Sequence, residues 1–248
     1  GMNTSLPSRS HSLFTSLTRA PHHAPPPGRR LHRAGGAAAL AVVLSSVFSA
    51  GCVSTPPQAL QMTPMPHGSV TVFQPSSSGS FGTLQGDVAW TQGRATWRGR
   101  DVVMFSSPVA GASLHEGAGM ATVATLAPSG APYHSYDPPL DLRWPLKVGE
   151  RWTSVHMVYD HMQNRSSPLI IQWQVDGWGD VRVPAGTYKA YQVSWITSLD
   201  ERETRWISPE LGLGIVKRHV ERSPAHPQGA GVLDAELISV KAPGAAPT

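Results

Sequence analysis

The sequence predicts an antiparallel all-β domain, and two features carry that prediction. Residues 169–175 alternate: Leu169, Ile171, Trp173 and Val175 are apolar, whereas most residues between them are polar. A period of two places alternate side chains on opposite faces of a strand, so one face is apolar. In addition, no window of a dozen residues shows the 3.6-residue apolar stripe of a helix, and glycine and proline interrupt the chain at close intervals. Antiparallel β structure is the class that fits both features.

The predicted strands follow one another along the chain from residue 70 onward. Residues 183–187 predict a hairpin turn in which Gly186 supplies a positive φ. We expect about ten strands in a curved antiparallel sheet, as a half-barrel or a sandwich, because a sheet with one apolar face must cover that face. In order, the predicted strands cover residues 70–73, 88–90, 95–97, 102–105, 120–126, 152–162, 169–175, 181–183, 187 onward including 191–195, 213–220 and 233–237.

Residues 1–51 differ from the rest of the chain and are predicted to be a secretory signal peptide. They contain five arginines and no Asp or Glu. Three of these arginines precede an apolar stretch at residues 37–48, which ends on the small residues 49–51. A charged region, a short apolar region and a small-residue cleavage site make up an export signal. The apolar stretch is shorter than the roughly 20 residues that a spanning helix needs.

Cys52 is the only cysteine, so the chain cannot form an intramolecular disulfide. Its place after the small residues resembles the bacterial lipoprotein signal, which implies that Cys52 is acylated and becomes the new N-terminus. Val53 follows the cysteine, and in the sorting known for enteric bacteria a residue other than Asp there favours the outer membrane. Residues 52–68 are predicted to be the lipidated cysteine and a proline-containing tether. Residues 69–248 are predicted to form one β domain.

The charge of the chain argues against a nucleic-acid partner. The net charge of +4 comes from the leader, because residues 52–248 hold 15 Lys and Arg (20 minus 5) against 16 Asp and Glu. A nucleic-acid-binding domain needs a basic surface. We therefore expect the partners to be the membrane, through the acyl chains, and a lipid or an envelope protein.

Three stretches resemble a pattern of uncharacterised bacterial periplasmic and outer-membrane lipoproteins. They are residues 145–152 (PLKVGERW), 183–190 (VPAGTYKA) and 206–217 (WISPELGLGIVK). Such proteins are similar, more distantly, to the curved antiparallel sheet of the lipoprotein-localisation carrier and its outer-membrane receptor. That carrier holds acyl chains on its concave apolar face. The matching residues are typical of turns and strand ends, so the resemblance implies a fold rather than a ligand set.

The candidate polar cluster is His156 and Asp160, in the predicted strand 152–162. Side chains two apart share a face of a strand, so these two residues lie together and His161 points the other way. A bulge could turn His161 back, and three further histidines could join from elsewhere in the chain. The spacing matches no metal-binding histidine motif, so we predict no metal and no cofactor. The three further histidines are His115, His134 and His219.

No catalytic nucleophile stands out, since the sequence has no G-x-S-x-G elbow. All eight tryptophans follow Cys52 and could form a stacking platform or an apolar groove, or simply pack in the core. Trp173 and Trp195 alternate in phase with aliphatic residues and are predicted to be core. Trp178 lies between two glycines and is predicted to be in a turn and the most exposed.

These observations lead to one leading expectation and two alternatives. We expect a non-catalytic outer-membrane lipoprotein that faces the periplasm and binds an apolar or amphipathic envelope component, or a protein partner, on its curved sheet. The first alternative is a structural or assembly accessory without a small-molecule site. The second is an envelope hydrolase whose site the sequence does not show.

Overall fold

The computed structural model describes residues 64–211 and 214–244, which form a closed antiparallel barrel. The predicted signal peptide and Cys52 lie outside the described residues. In the described part of the chain, no helix is long and apolar enough to cross a membrane. A short 3-10 helix covers Pro209–Leu211. The strands are β1 (Val70–Gly79), β2 (Val88–Trp97), β3 (Arg100–Ser107), β4 (Gly111–Glu116), β5 (Ala121–Leu126), β6 (Pro132–Leu140), β7 (Arg151–Asp160), β8 (Arg165–Val183), β9 (Gly186–Thr197), β10 (Glu201–Ser208), β11 (Gly214–Arg222) and β12 (Gly231–Lys241).

The all-β antiparallel prediction is confirmed, but the half-barrel or sandwich of about ten strands is wrong. Each of the twelve strands pairs with its sequence neighbours, and β1 pairs with β12 to close the ring. The sequence did not predict β4, β6 or β10, because none of them shows a clean apolar alternation. β6 contains Pro132, Pro138 and Pro139, and β4 begins at Gly111, which adopts a φ of +91°. A Cβ at Gly111 would lie 2.1 Å from the carbonyl oxygen of Leu126 on β5, so only glycine fits there.

The inner face of the barrel is the face that carries the buried residues of β7 to β11. Val158, Ile171, Val175, Val193 and Val216 lie on it, and each is at most 2% exposed. Their alternation with exposed neighbours follows the pleat of each strand. The pairing of the strands then shows which of the remaining residues of this wall point to the inner face and which point to the outer face.

A loop between β6 and β7 fills part of the interior. Leu146 of this loop is 5% exposed and packs with Val175, Tyr191 and Ile207 of the inner wall. Leu142 and Trp144 pack against the same cluster, and Leu142 also joins the cluster around Ile171. The barrel is therefore plugged by its own chain rather than open from end to end.

The end of the long β8–β9 hairpin covers another part of the barrel. A bulge between Val175 and Gly177 changes the register of β8 against β9, and a bulge bends a strand. Beyond it, Val183 packs with Phe73 and Leu237 of the closing strands. The hairpin turn at residues 183–186 lies where the sequence predicted it.

The wall from β2 to β7 curves toward the face that carries Leu114 and Ala124. Trp97 ends β2 and His161 follows β7, five strands along the sheet, yet their ring centroids are 6.2 Å apart. Five strand spacings of a flat sheet amount to roughly 24 Å. Strong curvature of this wall brings the rings together and explains why Leu114 and Ala124 are 1% and 0% exposed.

Candidate functional site

His156 and Asp160 both lie on the inner face of β7, but each has its own partners. They are 3% and 6% exposed. His156 Nδ1 is 2.7 Å from the carbonyl oxygen of Pro138, and Nε2 is 2.7 Å from Oγ of Ser154. That hydroxyl also accepts a hydrogen bond of 2.7 Å from Nε1 of Trp173. Both ring nitrogens of His156 are therefore used to link β6, β7 and β8.

Asp160 closes the turn that follows β7. Its Oδ1 accepts backbone hydrogen bonds from Met162 and Gln163, at 2.9 and 3.0 Å. Its Oδ2 lies 3.8 Å from Nε2 of His134, which is longer than a hydrogen bond. Burial lowers the pKa of His134, and the nearby carboxylate of Asp160 opposes that shift only in part. The buried His134 ring is therefore neutral at pH 7.

The other histidines that the sequence singled out are dispersed. His161 Nε2 is 3.1 Å from Oγ of Ser135. His115 Nδ1 is 3.0 Å from the carbonyl oxygen of Met120 on a different wall, and His219 lies on the outer face of β11. In residues 64–211 and 214–244, no group of three or more His, Cys, Asp or Glu is placed to hold a metal ion. The structure thus brings His134 next to Asp160 but places His115 and His219 elsewhere.

The interior holds an ion cluster that the sequence analysis did not predict. Glu203 and Arg205 lie two apart on β10, and the register sets Arg205 opposite both Val193 and Arg218. All three charged side chains therefore share the inner face. Oε1 of Glu203 accepts hydrogen bonds from Nε of Arg205 and, at 2.6 Å, from Nε of Arg218, and Oε2 accepts one of 3.2 Å from Nη2 of Arg218.

Burial and mutual attraction set the ionisation of this cluster. Burial opposes the charged form of Glu203, but Arg205 and Arg218 outweigh it and lower the pKa of the carboxyl group. Burial lowers the pKa of Arg205, whereas Glu203 raises that of Arg218 against its burial. The Glu203 side chain is 4% exposed, but 34% of each arginine side chain is accessible. The two guanidinium groups therefore line accessible space inside the wall.

A second ion pair lies further along the same two strands. Arg222 Nε is 2.9 Å from Oε2 of Glu201, and Arg222 Nη1 donates to Oε1 of Gln228 at 2.8 Å. The guanidinium also stacks on Phe81, 3.8 Å from the ring centroid. The side chain of Arg222 is only 5% exposed. Arg222 is thus enclosed and hydrogen-bonded through both Nε and Nη1, whereas Arg205 and Arg218 are more accessible.

Three tryptophans lie side by side next to the arginine cluster. The rings of Trp152 and Trp173 are stacked with centroids 5.7 Å apart, and those of Trp173 and Trp195 are 5.0 Å apart. Arg205 lies over the Trp195 ring at 4.9 Å, and Arg143 lies over Trp152 at 5.4 Å. These contacts are within cation–π range. We call Trp152, Trp173 and Trp195 the tryptophan ladder.

The tryptophan predictions have mixed outcomes. Trp173 is 6% exposed and belongs to the core, as predicted. Trp195 is half-buried and packs on the same cluster. The prediction for Trp178 is wrong, since Trp178 lies within β8 and packs on Tyr191 at a centroid distance of 4.7 Å. The flanking glycines lie in the bulged part of β8 rather than in a turn.

Two shallow cavities lie against the barrel wall. One, of about 350 Å³, is bordered by Arg94, Asp101, Val103 and His115. Burial lowers the pKa of His115 to about 4, and the positive charge of Arg205 contributes to the same shift. The other, of about 340 Å³, lies over the outer face of β7 to β10. Its lining residues are the three tryptophans of the ladder together with Arg151, Thr153, Gln172, Gln174, Ser194, Ile196 and Arg202.

A signal for the ion cluster is present in the sequence. On β10, Glu201, Glu203 and Arg205 are in phase with the apolar Ile207, and on β11 Arg218 is in phase with Val216. Charges at positions that the alternation assigns to the apolar face are rare in a plain core. The charged residues of β10 also hid the strand itself, because both of its faces are polar.

Comparison with known proteins gives likenesses of structure alone. No family model matches the chain, and no curated protein matches it. A protein thought to be exported, with a YmcC-like fold, from Bacteroides fragilis is 12% identical with a TM-score of 0.46, over 74% of this chain and 100% of that one. A protein described as a lipoprotein from Parabacteroides distasonis is 13% identical with a TM-score of 0.39, over 74% and 100%. The hypothetical lipoprotein YmcC from Escherichia coli is 12% identical with a TM-score of 0.38, over 74% and 87%.

Proposed function

We propose that the chain is a non-catalytic lipoprotein of the bacterial outer membrane, anchored through Cys52, whose barrel binds an amphipathic envelope component. The leader and Cys52 supply the sequence argument for the anchor. The single observation that carries the binding role is the tryptophan ladder next to accessible guanidinium groups. This arrangement offers an apolar surface and a polar group within one contact distance.

The chemistry of the inner wall favours binding over catalysis. The buried histidines His134 and His156 are used in structural contacts, and the shortest His–carboxylate approach at the predicted cluster is 3.8 Å. A general base needs a nitrogen that is available to a substrate proton, and both ring nitrogens of His156 are already engaged within the fold. A ligand that stacks on Trp195 and contacts Arg205 needs no such group.

A second candidate is a structural accessory that binds another envelope protein. Val155, Met157 and Ile170 are 60%, 46% and 44% exposed on the outer face of β7 and β8. Val155 is paired with Ile170, and Met157 with Pro168, so these side chains form a continuous apolar strip. Exposed apolar patches mark contact surfaces. This candidate needs no small-molecule site.

The test uses the full-length lipoprotein, made in a Gram-negative host and held in lipid nanodiscs. The probe is 12-bromododecanol, a neutral amphiphile whose bromine quenches a tryptophan on contact. We expect saturable quenching in the wild type, because the probe reaches the tryptophan ladder. Trp195→Phe should remove a large part of the quenching, and Trp206→Phe should not, since Trp206 lies on the outer face of β10.

The same preparation tests the anchor. The intact mass should correspond to a chain that starts at an acylated Cys52, and Cys52→Ala should release the protein from the membrane fraction. An unacylated chain that starts before Cys52 would contradict the anchor. Non-saturable quenching that is equal in the two tryptophan variants would contradict the binding role and favour the structural accessory.

A further inference from the structure

We infer that Arg205 and Arg218 form the receptor for an oxyanion, so that the ligand of the barrel is an anionic amphiphile with a carboxylate or phosphate group. This inference rests on the proposed function and names the ligand class. Three independent observations on β10 and β11 carry it.

The first observation is an imbalance of charge inside the wall. Within residues 64–211 and 214–244, the ion pairs of Arg205, Arg218 and Arg222 involve two carboxylates, Glu201 and Glu203, which leaves a formal charge of +1. Excess charge on partly buried side chains is unfavourable. One bound oxyanion would balance the cluster.

The second observation is the use of hydrogen-bond donors. A guanidinium group has five N–H donors. Arg218 directs its Nε and one Nη2 hydrogen bond to Glu203, and Arg205 directs only its Nε to the same carboxylate. Within residues 64–211 and 214–244, no side-chain hydrogen bond uses the terminal Nη groups of Arg205. These groups match the two oxygens of a carboxylate or phosphate, which arginine binds in a bidentate manner.

The third observation is a contrast in accessibility within one cluster. Arg222 makes hydrogen bonds to Glu201, Gln228 and Ser80 and is 5% exposed. Arg205 and Arg218 are each 34% exposed although they lie on the same inner face. Arg222 shows that an arginine of this cluster can be enclosed by its partners. The accessible pair is therefore the part of the cluster that can meet a ligand.

The tryptophan ladder indicates the chemistry of the part of the ligand that adjoins the oxyanion. Trp195 is half-buried and contacts the Arg205 guanidinium at 4.9 Å, and Trp173 packs against it in the core with its ring centroid 5.0 Å away. An oxyanion held by Arg205 thus places the adjoining part of its molecule against indole rings. An aliphatic chain attached to the oxyanion fits this surface, whereas free phosphate uses only the guanidinium groups.

The test compares matched probes on the same nanodisc-held lipoprotein. We expect 12-bromododecanoate to quench the ladder with at least about tenfold higher affinity than 12-bromododecanol, since a hydrogen bond between charged groups is stronger than one to a neutral hydroxyl group. Dodecyl phosphate should displace the brominated acid, and inorganic phosphate at the same concentration should not. Displacement by inorganic phosphate as effective as that by dodecyl phosphate would overturn the amphiphile class.

Substitutions on β10 test whether Arg205 causes the preference for the acid over the alcohol. Arg205→Gln should abolish the preference for the acid over the alcohol while alcohol binding persists. Arg202→Gln is the matched control, because Arg202 has the same charge on the outer face of β10, and it should keep the preference. Arg205→Lys retains the charge and should show an intermediate preference, which guards against misfolding of the glutamine variant.

The outcomes separate this inference from the proposed function. Saturable binding of the acid and the alcohol with equal affinity would overturn the oxyanion receptor and leave the proposed function intact. Loss of the preference in Arg202→Gln, but not in Arg205→Gln, would also overturn it. Absence of saturable quenching by either probe would overturn both.

Discussion

Two walls of the barrel interior have the same alternation of side chains and opposite chemistry. On β8 and β9 the inward positions are apolar, and Val175 and Val193 are 0% and 1% exposed. The next wall, on β10 and β11, places Arg205 directly opposite Val193 and Arg218 opposite Arg205. A single strand spacing therefore separates a hydrophobic core from an ion cluster.

The chemistry of the two walls indicates which of them stabilises the fold. The apolar wall stabilises the barrel through the area that it removes from water, about 25 cal/mol per Å². The charged wall loses hydration energy, and a buried ion pair is often no better for stability than apolar residues of similar volume. The apolar wall thus supports the fold, and the charged wall is the candidate for function.

The largest effect is expected from Glu203→Gln, which tests whether the charged wall depends on complete pairing. The substitution keeps the shape of the buried side chain and leaves two partly buried guanidinium groups without their carboxylate. We expect the free energy of unfolding to fall by about 4 kcal/mol, as for other broken buried pairs. Chemical denaturation followed by tryptophan fluorescence measures the change.

The matched control for Glu203→Gln is Glu221→Gln on the outer face of β11. Glu221 is 55% exposed and lies 3.0 Å from Nε2 of His219. An exposed pair contributes at most about 1 kcal/mol. Equal losses in the two variants would show that the walls do not differ in the way proposed.

The next effect compares two adjacent isoleucines of β8 and tests the apolar wall. Ile171 points inward and is 2% exposed, and Ile170 points outward and is 44% exposed. We expect Ile171→Ala to lower the free energy of unfolding by about 3 kcal/mol, because it leaves a cavity in the core. Ile170→Ala should change it by less than about 0.5 kcal/mol. A loss at Ile170 as large as that at Ile171 would place the outer strip inside an interface.

The two walls also differ in how well the sequence predicted them. The alternation of Leu169, Ile171, Trp173 and Val175 predicted β8 and its buried face, because apolar burial shows directly as a period of two. The charged residues of β10 interrupt that period, so the strand and its cluster were both missed. Closure of the barrel was not predictable, since it depends on the register of β1 against β12, far apart in the sequence.

The predicted polar pair shows a related limit. The alternation placed His156 and Asp160 on one inner face, where the structure also places them. Ser154 lies on the same strand, two residues before His156, but Pro138 and His134 belong to β6 and are not visible in a local pattern. Sharing a face is a property of one strand, whereas forming a site depends on what the neighbouring strands present.

The smallest expected effect is a change of stability with pH, which compares the buried His226, in the loop after β11, with His219 on the outer face of β11. His226 is 4% exposed, and its Nδ1 accepts a hydrogen bond of 3.1 Å from the backbone N–H of Gln228, which requires an unprotonated Nδ1. Burial, followed by the charge of Arg222, lowers the pKa of His226 to about 4. His219 instead lies between Asp234 and Glu221, at 2.6 and 3.0 Å. These carboxylates raise its pKa although burial opposes the shift.

The two histidines should therefore shift stability in opposite directions. Between pH 6.5 and pH 4 the unfolded chain protonates at residue 226 and the folded chain does not, so the stability contribution of a neutral His226 is lost as the pH falls. The contribution of His219 is fully present below pH 6.5 and is lost as the pH rises through its raised pKa. His226→Gln should thus reduce the loss of stability between pH 7 and pH 5, by on the order of 1 kcal/mol, and His219→Gln should increase it. Denaturation at both pH values measures each difference, and a His226→Gln curve parallel to the wild type would mean that burial does not hold this ring neutral.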